Sequence, residues 1–91
     1  MTRRRVDRNQ VAIVKVLRDM GAQVFVTSSV GHGFPDLVVG WKGAVALVEI
    51  KFGDETLTPD ELEFHNRFHV EIVRSVEQAR DLILEWGMEE V

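Results

Sequence analysis

Two short apolar runs, "DLVVGW" (36–41) and "AVALVEIKF" (44–52), meet at Lys42-Gly43, and no other feature constrains the fold as strongly. Both are rich in β-branched residues and too short for an ordinary helix, so they read as a β-hairpin. A turn centred on Lys42-Gly43 pairs Gly40 with Val45 and Val38 with Leu47. Continued outward, the same register sets Asp36 opposite Glu49. Directly opposed side chains have Cβ atoms ~5 Å apart, and like charges in that position destabilise a sheet. Lys51, two residues beyond Glu49, projects from the same face. A slip of one residue would scatter the set.

Two readings account for two acids and a lysine at the head of an apolar hairpin. One is a salt-bridged triad at the sheet edge, with Lys51 neutralising an acid. The other is a divalent-cation site, because Mg²⁺ takes oxygen ligands and is commonly held by one or two carboxylates with waters and substrate phosphate. Burying an ionised Asp without a partner is costly. Pro35 stiffens the approach to Asp36, and the glycine loop "GHGF" (31–34) precedes it. With the matching register, these features favour the metal reading, in which Lys51 positions a water or stabilises charge developing on phosphate.

The rest of the chain supplies a frame for the hairpin. "DRNQVAIVKVLRDM" (7–20) has a helical stripe of Val11, Val14 and Leu17, with Asp7 and Gln10 as a capping box and Gly21 as its stop. "QVFVTSSV" (23–30) and "VEIVRS" (70–75) read as strands. Thr58-Pro59-Asp60-Glu61 is a helix start, with Thr58 as cap and Glu61 at the third position, and that helix extends to about Phe68. Ser75 with Gln78 caps a last helix that Gly87 closes. The order is α-β-β-β-α-β-α, an α/β fold with a mixed sheet flanked by helices.

Ninety-one residues make one domain, 1–91, and 45% hydrophobic with 29% charged content excludes a disordered chain. The absence of cysteine excludes disulfides and thiolate metal sites. No apolar run approaches a membrane span, and no apolar segment follows "MTRRR", so the expected location is cytoplasmic. A net charge of −4 argues against general nucleic-acid binding. The charge is polarised, however. Residues 1–20 hold Arg3, Arg4, Arg5, Arg8, Lys15 and Arg18 against Asp7 and Asp19, whereas residues 77–91 hold five acids against Arg80.

The segments "DRNQ…IVKVLRDMGA", "PDLVVG", "VEIK", "LTPDELEFH" and "VRSVEQA" occur in the order of a known family. Together they resemble the VRR-NUC domain, the virus-type replication–repair nuclease branch of the PD-(D/E)xK superfamily, over nearly the whole chain. The resemblance implies a restriction-endonuclease-like core and hydrolysis of DNA phosphodiester bonds with Mg²⁺ or Mn²⁺. It implies Asp36, Glu49 and the Ile50 carbonyl as metal ligands, and Lys51 as the catalytic lysine. It also implies a homodimer cutting branched DNA in the manner of Holliday-junction resolvases, in a bacterial or phage-infected cell. Two positions depart from the family pattern. A first-helix acid aligns with Ala12, near Gln10, and the glutamine that follows "LTP" in many members is Glu61 here. Ala12 sustains an alternative, a nuclease-fold module that binds DNA or a protein without cutting.

Further candidates each have a plain structural role beside the functional one. Arg3, Arg4, Arg5 and Arg8 are a solubilising tail or a DNA contact. Gln10 and Glu61 are capping residues, with a contact from Glu61 to Lys51 as an added role. Ser28, Ser29 and His32 either satisfy the loop or touch phosphate. His65 is a half-exposed helix residue or a neighbour of the site, and its spacing to His69 is that of a zinc pair without a third ligand. Trp41 and Phe52 fall on the hairpin face opposite Asp36, where packing is expected. "GHG" lacks the Gly-Lys-Ser/Thr ending of a phosphate loop.

Overall fold

Alternate residues of the hairpin differ sharply in exposure, and this difference organises the molecule. Leu37, Val39 and Val48 are completely buried, while Val45 is 72% exposed. The computed structural model describes residues 2–89, with side chains described for 8–87. Its elements are α1 (Thr2–Asp19), β1 (Gln23–Val26), β2 (Leu37–Trp41), β3 (Ala44–Ile50), α2 (Pro59–Arg67), β4 (Val70–Val73) and α3 (Val76–Glu89). The strands form one mixed sheet in the order β1-β2-β3-β4, antiparallel except for the parallel β3–β4 pair. The α-β-β-β-α-β-α order expected from the sequence is the observed one.

Lys42 and Gly43 have φ of 47° and 86°. Positive φ at both central residues gives a two-residue turn whose twist matches that of the flanking strands, and glycine at the second position adopts it without a side-chain clash. The register is the one expected: Gly40 opposes Val45, Val38 opposes Leu47, and the ladder ends at Leu37 opposite Val48. Period-two alternation then sends Leu37, Val39, Val48 and Ile50 to one face. There they pack with Ile13 and Leu17 of α1, Val24 of β1, Val73 of β4 and Leu82 and Ile83 of α3. Trp41 stacks on Trp86 with ring centroids 6.3 Å apart, closing the core at the turn end as expected for that face.

Several boundaries differ from the sequence reading. The first helix begins at Thr2, so Asp7 lies inside it and the Asp7/Gln10 capping box is not formed. Arginines are good helix formers and nothing between residues 2 and 7 breaks the helix. The first strand stops at Val26; just beyond it the Thr27 N–H donates to the Asp36 carbonyl at 2.7 Å and its Oγ1 to the Pro35 carbonyl at 2.8 Å. The last helix runs through Gly87 to Glu89. Gly87 lies inside the helix and against the Trp41 ring, where a Cβ would meet Cη2 at an ordinary contact distance of 3.5 Å, so this glycine does not end the helix. α2 follows expectation, with a complete capping box at Thr58 and Glu61.

Among the described residues no helix is long and apolar enough to cross a membrane.

Candidate active site

Asp36 stands one residue beyond the β2–β3 ladder and is bound to its surroundings from two sides. Its carbonyl accepts the Thr27 N–H, and its Oδ2 accepts the Ile50 N–H across the strand at 2.8 Å. Glu49 lies beside it on β3 and is only 2% exposed, and Lys51, just past the strand, is 6% exposed. Both are therefore buried ionisable groups, unusual in so small a molecule. Glu49 Oε1 is buried with no hydrogen-bond partner.

Burial, then a hydrogen bond with Asp36 and the charges of Asp36 and Glu61, push the Glu49 carboxyl up to about 9, against the opposing pull of Lys51. Glu49 thus carries a proton at neutral pH unless a cation arrives to replace it. The lone pair left without a donor and the carboxylate next to it fit a hard cation. Asp36 and Glu49 would hold it with the Ile50 carbonyl, and waters would complete the shell. Among the described residues no group of three His, Cys, Asp or Glu side chains is placed to hold a metal ion.

Lys51 is held from α2. Its Nζ donates to Glu61 Oε1 at 2.6 Å, and the same oxygen accepts the Thr58 N–H at 2.8 Å. Glu61 therefore fills both roles considered for it, capping α2 and binding the lysine. Burial resists its ionisation, but hydrogen bonds from Lys51 and Thr58 outweigh that and hold its carboxyl below the ordinary value. His65, one turn along α2, has a buried Nε2 without a partner. Burial and the neighbouring Lys51 lower its pKa, and Glu61 partly opposes them.

The loop between β1 and Asp36 is fastened to α2. Gly31, His32 and Gly33 have φ of 80°, 57° and 81° in succession. A Cβ at Gly33 would lie 2.3 Å from the Asp60 carbonyl oxygen, so only glycine allows this approach. Phe34 then meets Phe64 edge-on with centroids 5.3 Å apart.

The other sequence candidates are placed less centrally. Ser28, Ser29 and His32 are exposed on the loop, and His32 lines a cavity with Asp60, Phe64 and Arg67. Gln10 borders a groove with Val11, Val14 and Val26. Because Val26 pairs with Leu37, the neighbour of Asp36, this groove lies between α1, from Gln10 onward, and the strand end next to the site. Arg8 is exposed in that part of α1, while the side chains of Arg3, Arg4 and Arg5 lie outside the described residues. Arg18 is engaged, donating to the Val24 carbonyl at 2.9 Å. His69 lies beyond α2 and pairs with Glu71, so the His65/His69 spacing forms no helical zinc pair.

Ala12 is exposed and does not face the sheet. The polar residue on the inward stripe of α1 is Asn9, one turn before the buried Ile13, with an Nδ2 that is buried and unpartnered. The sequence reading missed Asn9. Counting back by four from Ile13, which the stripe of Val11, Val14 and Leu17 leaves out, would have found it.

No protein-family model and no curated protein matches this chain. A solved structure described as a VRR_NUC domain does match, with a TM-score of 0.72 and 30% sequence identity, over 86% of this chain and 92% of that one.

Proposed function

The chain belongs to the VRR-NUC family of nuclease domains, and from that premise we propose that it is a metal-dependent endonuclease acting on branched DNA as a homodimer. The observation that carries this reading is the buried pair Asp36 and Glu49, with an unpartnered carboxylate oxygen and Lys51 at its side.

Mg²⁺ or Mn²⁺, when bound, supplies Lewis-acid activation of the scissile phosphate and of water. The chain's own residues do the rest. Asp36, fixed by the Ile50 N–H, and Glu49, fixed by the strand, present their oxygens at the open end of the hairpin. Lys51, held by Glu61 and near enough to Glu49 for its charge to act on that carboxyl, orients the attacking water and offsets the negative charge that grows on the phosphate. Arg8 and the rest of the basic first helix supply phosphate contacts.

Two features support a homodimer. A single acidic copy offers a small cationic footprint, which a two-fold axis doubles while placing two cuts symmetrically. The sheet face that carries Glu49 also leaves Phe25 62%, Val45 72% and Ile72 40% exposed, an apolar surface suited to a second copy. A monomer at micromolar concentration that still makes paired nicks in four-way junctions would sink this part of the reading.

The test of the whole is cleavage of linear duplex, flap and four-way-junction DNA with Mg²⁺, Mn²⁺ or EDTA, beside Asp36→Asn and Lys51→Ala. Metal-dependent products from the wild type alone are expected, with Ca²⁺ supporting binding only. Binding without cutting on every substrate would establish the alternative, a nuclease-fold module that recognises DNA or a protein.

A further inference from the structure

From the contacts around Lys51 we propose that Glu61 is a positioning residue for that lysine, and that the first turn of α2 serves as its clamp. The proposal rests on the nuclease reading above and adds to it a residue that neither binds metal nor touches DNA.

Three observations converge. The first is the bond itself, Lys51 Nζ to Glu61 Oε1 at 2.6 Å, between side chains only 8% and 17% exposed. A lysine side chain has four rotatable bonds, and with one sheltered acceptor it settles into one of its many rotamers. The second is that the acceptor is arranged without the lysine. Glu61 Oε1 also receives the Thr58 N–H at 2.8 Å, and the Glu61 N–H donates to Thr58 Oγ1 at 3.2 Å. The reciprocal cap fixes the Glu61 side chain from its own helix, so Lys51 meets a preorganised carboxylate. The third is that this helix turn is tied to the loop bearing Asp36. The close approach of Gly33 to the Asp60 carbonyl sets the residue before Glu61 against the residue three before Asp36. The lysine clamp and the carboxylate loop therefore share one anchor, and the spacing between the Lys51 ammonium and Asp36 is defined from both sides.

A plain cap would need none of this. The two bonds between Thr58 and Glu61 close the helix start by themselves, and without Glu61 the buried Lys51 ammonium would lose its only described hydrogen-bond acceptor. The clamp gives it a partner outside the acid pair. It leaves Asp36 and Glu49 for a cation, since Lys51 is not drawn into a salt bridge across them.

The test separates the cap from the clamp. In ¹⁵N-lysine-labelled, metal-free protein at low temperature, the Lys51 ammonium should give a protected NMR signal in the wild type. Glu61→Ala should abolish that signal while the amide spectrum keeps its fold. Glu61→Gln, which retains an acceptor oxygen for both donors, should restore it. Thr58→Ala, which weakens the cap but leaves the backbone donor and Glu61, should also keep it. In cleavage assays Glu61→Ala should lower kcat about 10- to 100-fold with DNA affinity in Ca²⁺ unchanged, the usual cost of losing an outer-sphere partner. Glu61→Gln should recover most of that loss. A Glu61→Ala protein that keeps the Lys51 signal, or cuts as fast as the wild type, overturns the proposal alone. A wild type that cuts no substrate overturns the nuclease reading and the proposal with it.

Discussion

The two faces of the sheet are built from the same strands and follow opposite rules. On one face Val24, Leu37, Val39, Val48, Ile50 and Val73 are sealed beneath α1 and α3. On the other, Asp36 and Glu49 converge at one end, and Phe25, Val45 and Ile72 remain open to solvent. The first face lowers the free energy of folding by roughly 25 cal/mol for each Å² of apolar surface removed from water. The second works against folding, because a carboxyl group is buried there with an unsatisfied oxygen. Alternate residues of one hairpin thus divide the labour, one set holding the fold and the next set spending some of its stability on chemistry.

Substitutions should separate the two faces. The largest expected effect lies on the open face: Asp36→Asn or Lys51→Ala should reduce cleavage by about 10²- to 10³-fold or more, with the melting temperature of Asp36→Asn little changed. An equal loss of stability in Asp36→Asn would break the division. On the sealed face Leu37→Ala should cost about 2–5 kcal/mol of unfolding free energy, read by urea denaturation, while the folded fraction still cuts DNA.

A smaller effect should appear in the pH dependence of metal-free stability. The folded pKa of Glu49 is raised from 4.5 to about 9, so its contribution is fully present below pH 4.5 and is lost as pH rises towards 9. The wild-type melting temperature should therefore fall over that window relative to Glu49→Gln, which mimics the protonated acid. Saturating divalent cation should reduce the fall by favouring the ionised form. Parallel curves for the two proteins would show that Glu49 ionises normally. The smallest effect is expected for Val45→Thr on the open face, within about 0.5 kcal/mol in thermal denaturation of the isolated monomer. A larger cost that grows with protein concentration would mark this face as a subunit contact.

The hairpin register and the meeting of Asp36 with Glu49 were legible because a two-residue turn and a period of two leave little freedom. The caps of α2 and α3 were legible for a similar reason: Thr58 with Glu61 and Ser75 with Gln78 are local patterns, and both form bonds at those helix starts. What escaped depends on contacts distant in sequence. The end of β1 coincides with Thr27 bonding to Pro35 and Asp36. The continuation of α3 past Gly87 sets that residue against the Trp41 ring. Asn9 was overlooked for a different reason, an error of helical phase: the stripe read from the sequence began at Val11, which is 67% exposed, whereas the buried one runs through Ile13.

The Lys42-Gly43 turn lies at the opposite end of the hairpin from Asp36, yet it decides which residue Asp36 meets. An exposed loop tip is ordinarily where a chain best tolerates insertion. Here one added residue, if the chain re-formed a two-residue turn, would shift the whole ladder, rotate Glu49 into the core and bring Val48 out beside Asp36. Two added residues would restore the facing but put a different partner there. The tip of this hairpin is therefore under the same selection as the site itself, and its length should vary among functional relatives less than its distance from the chemistry would suggest.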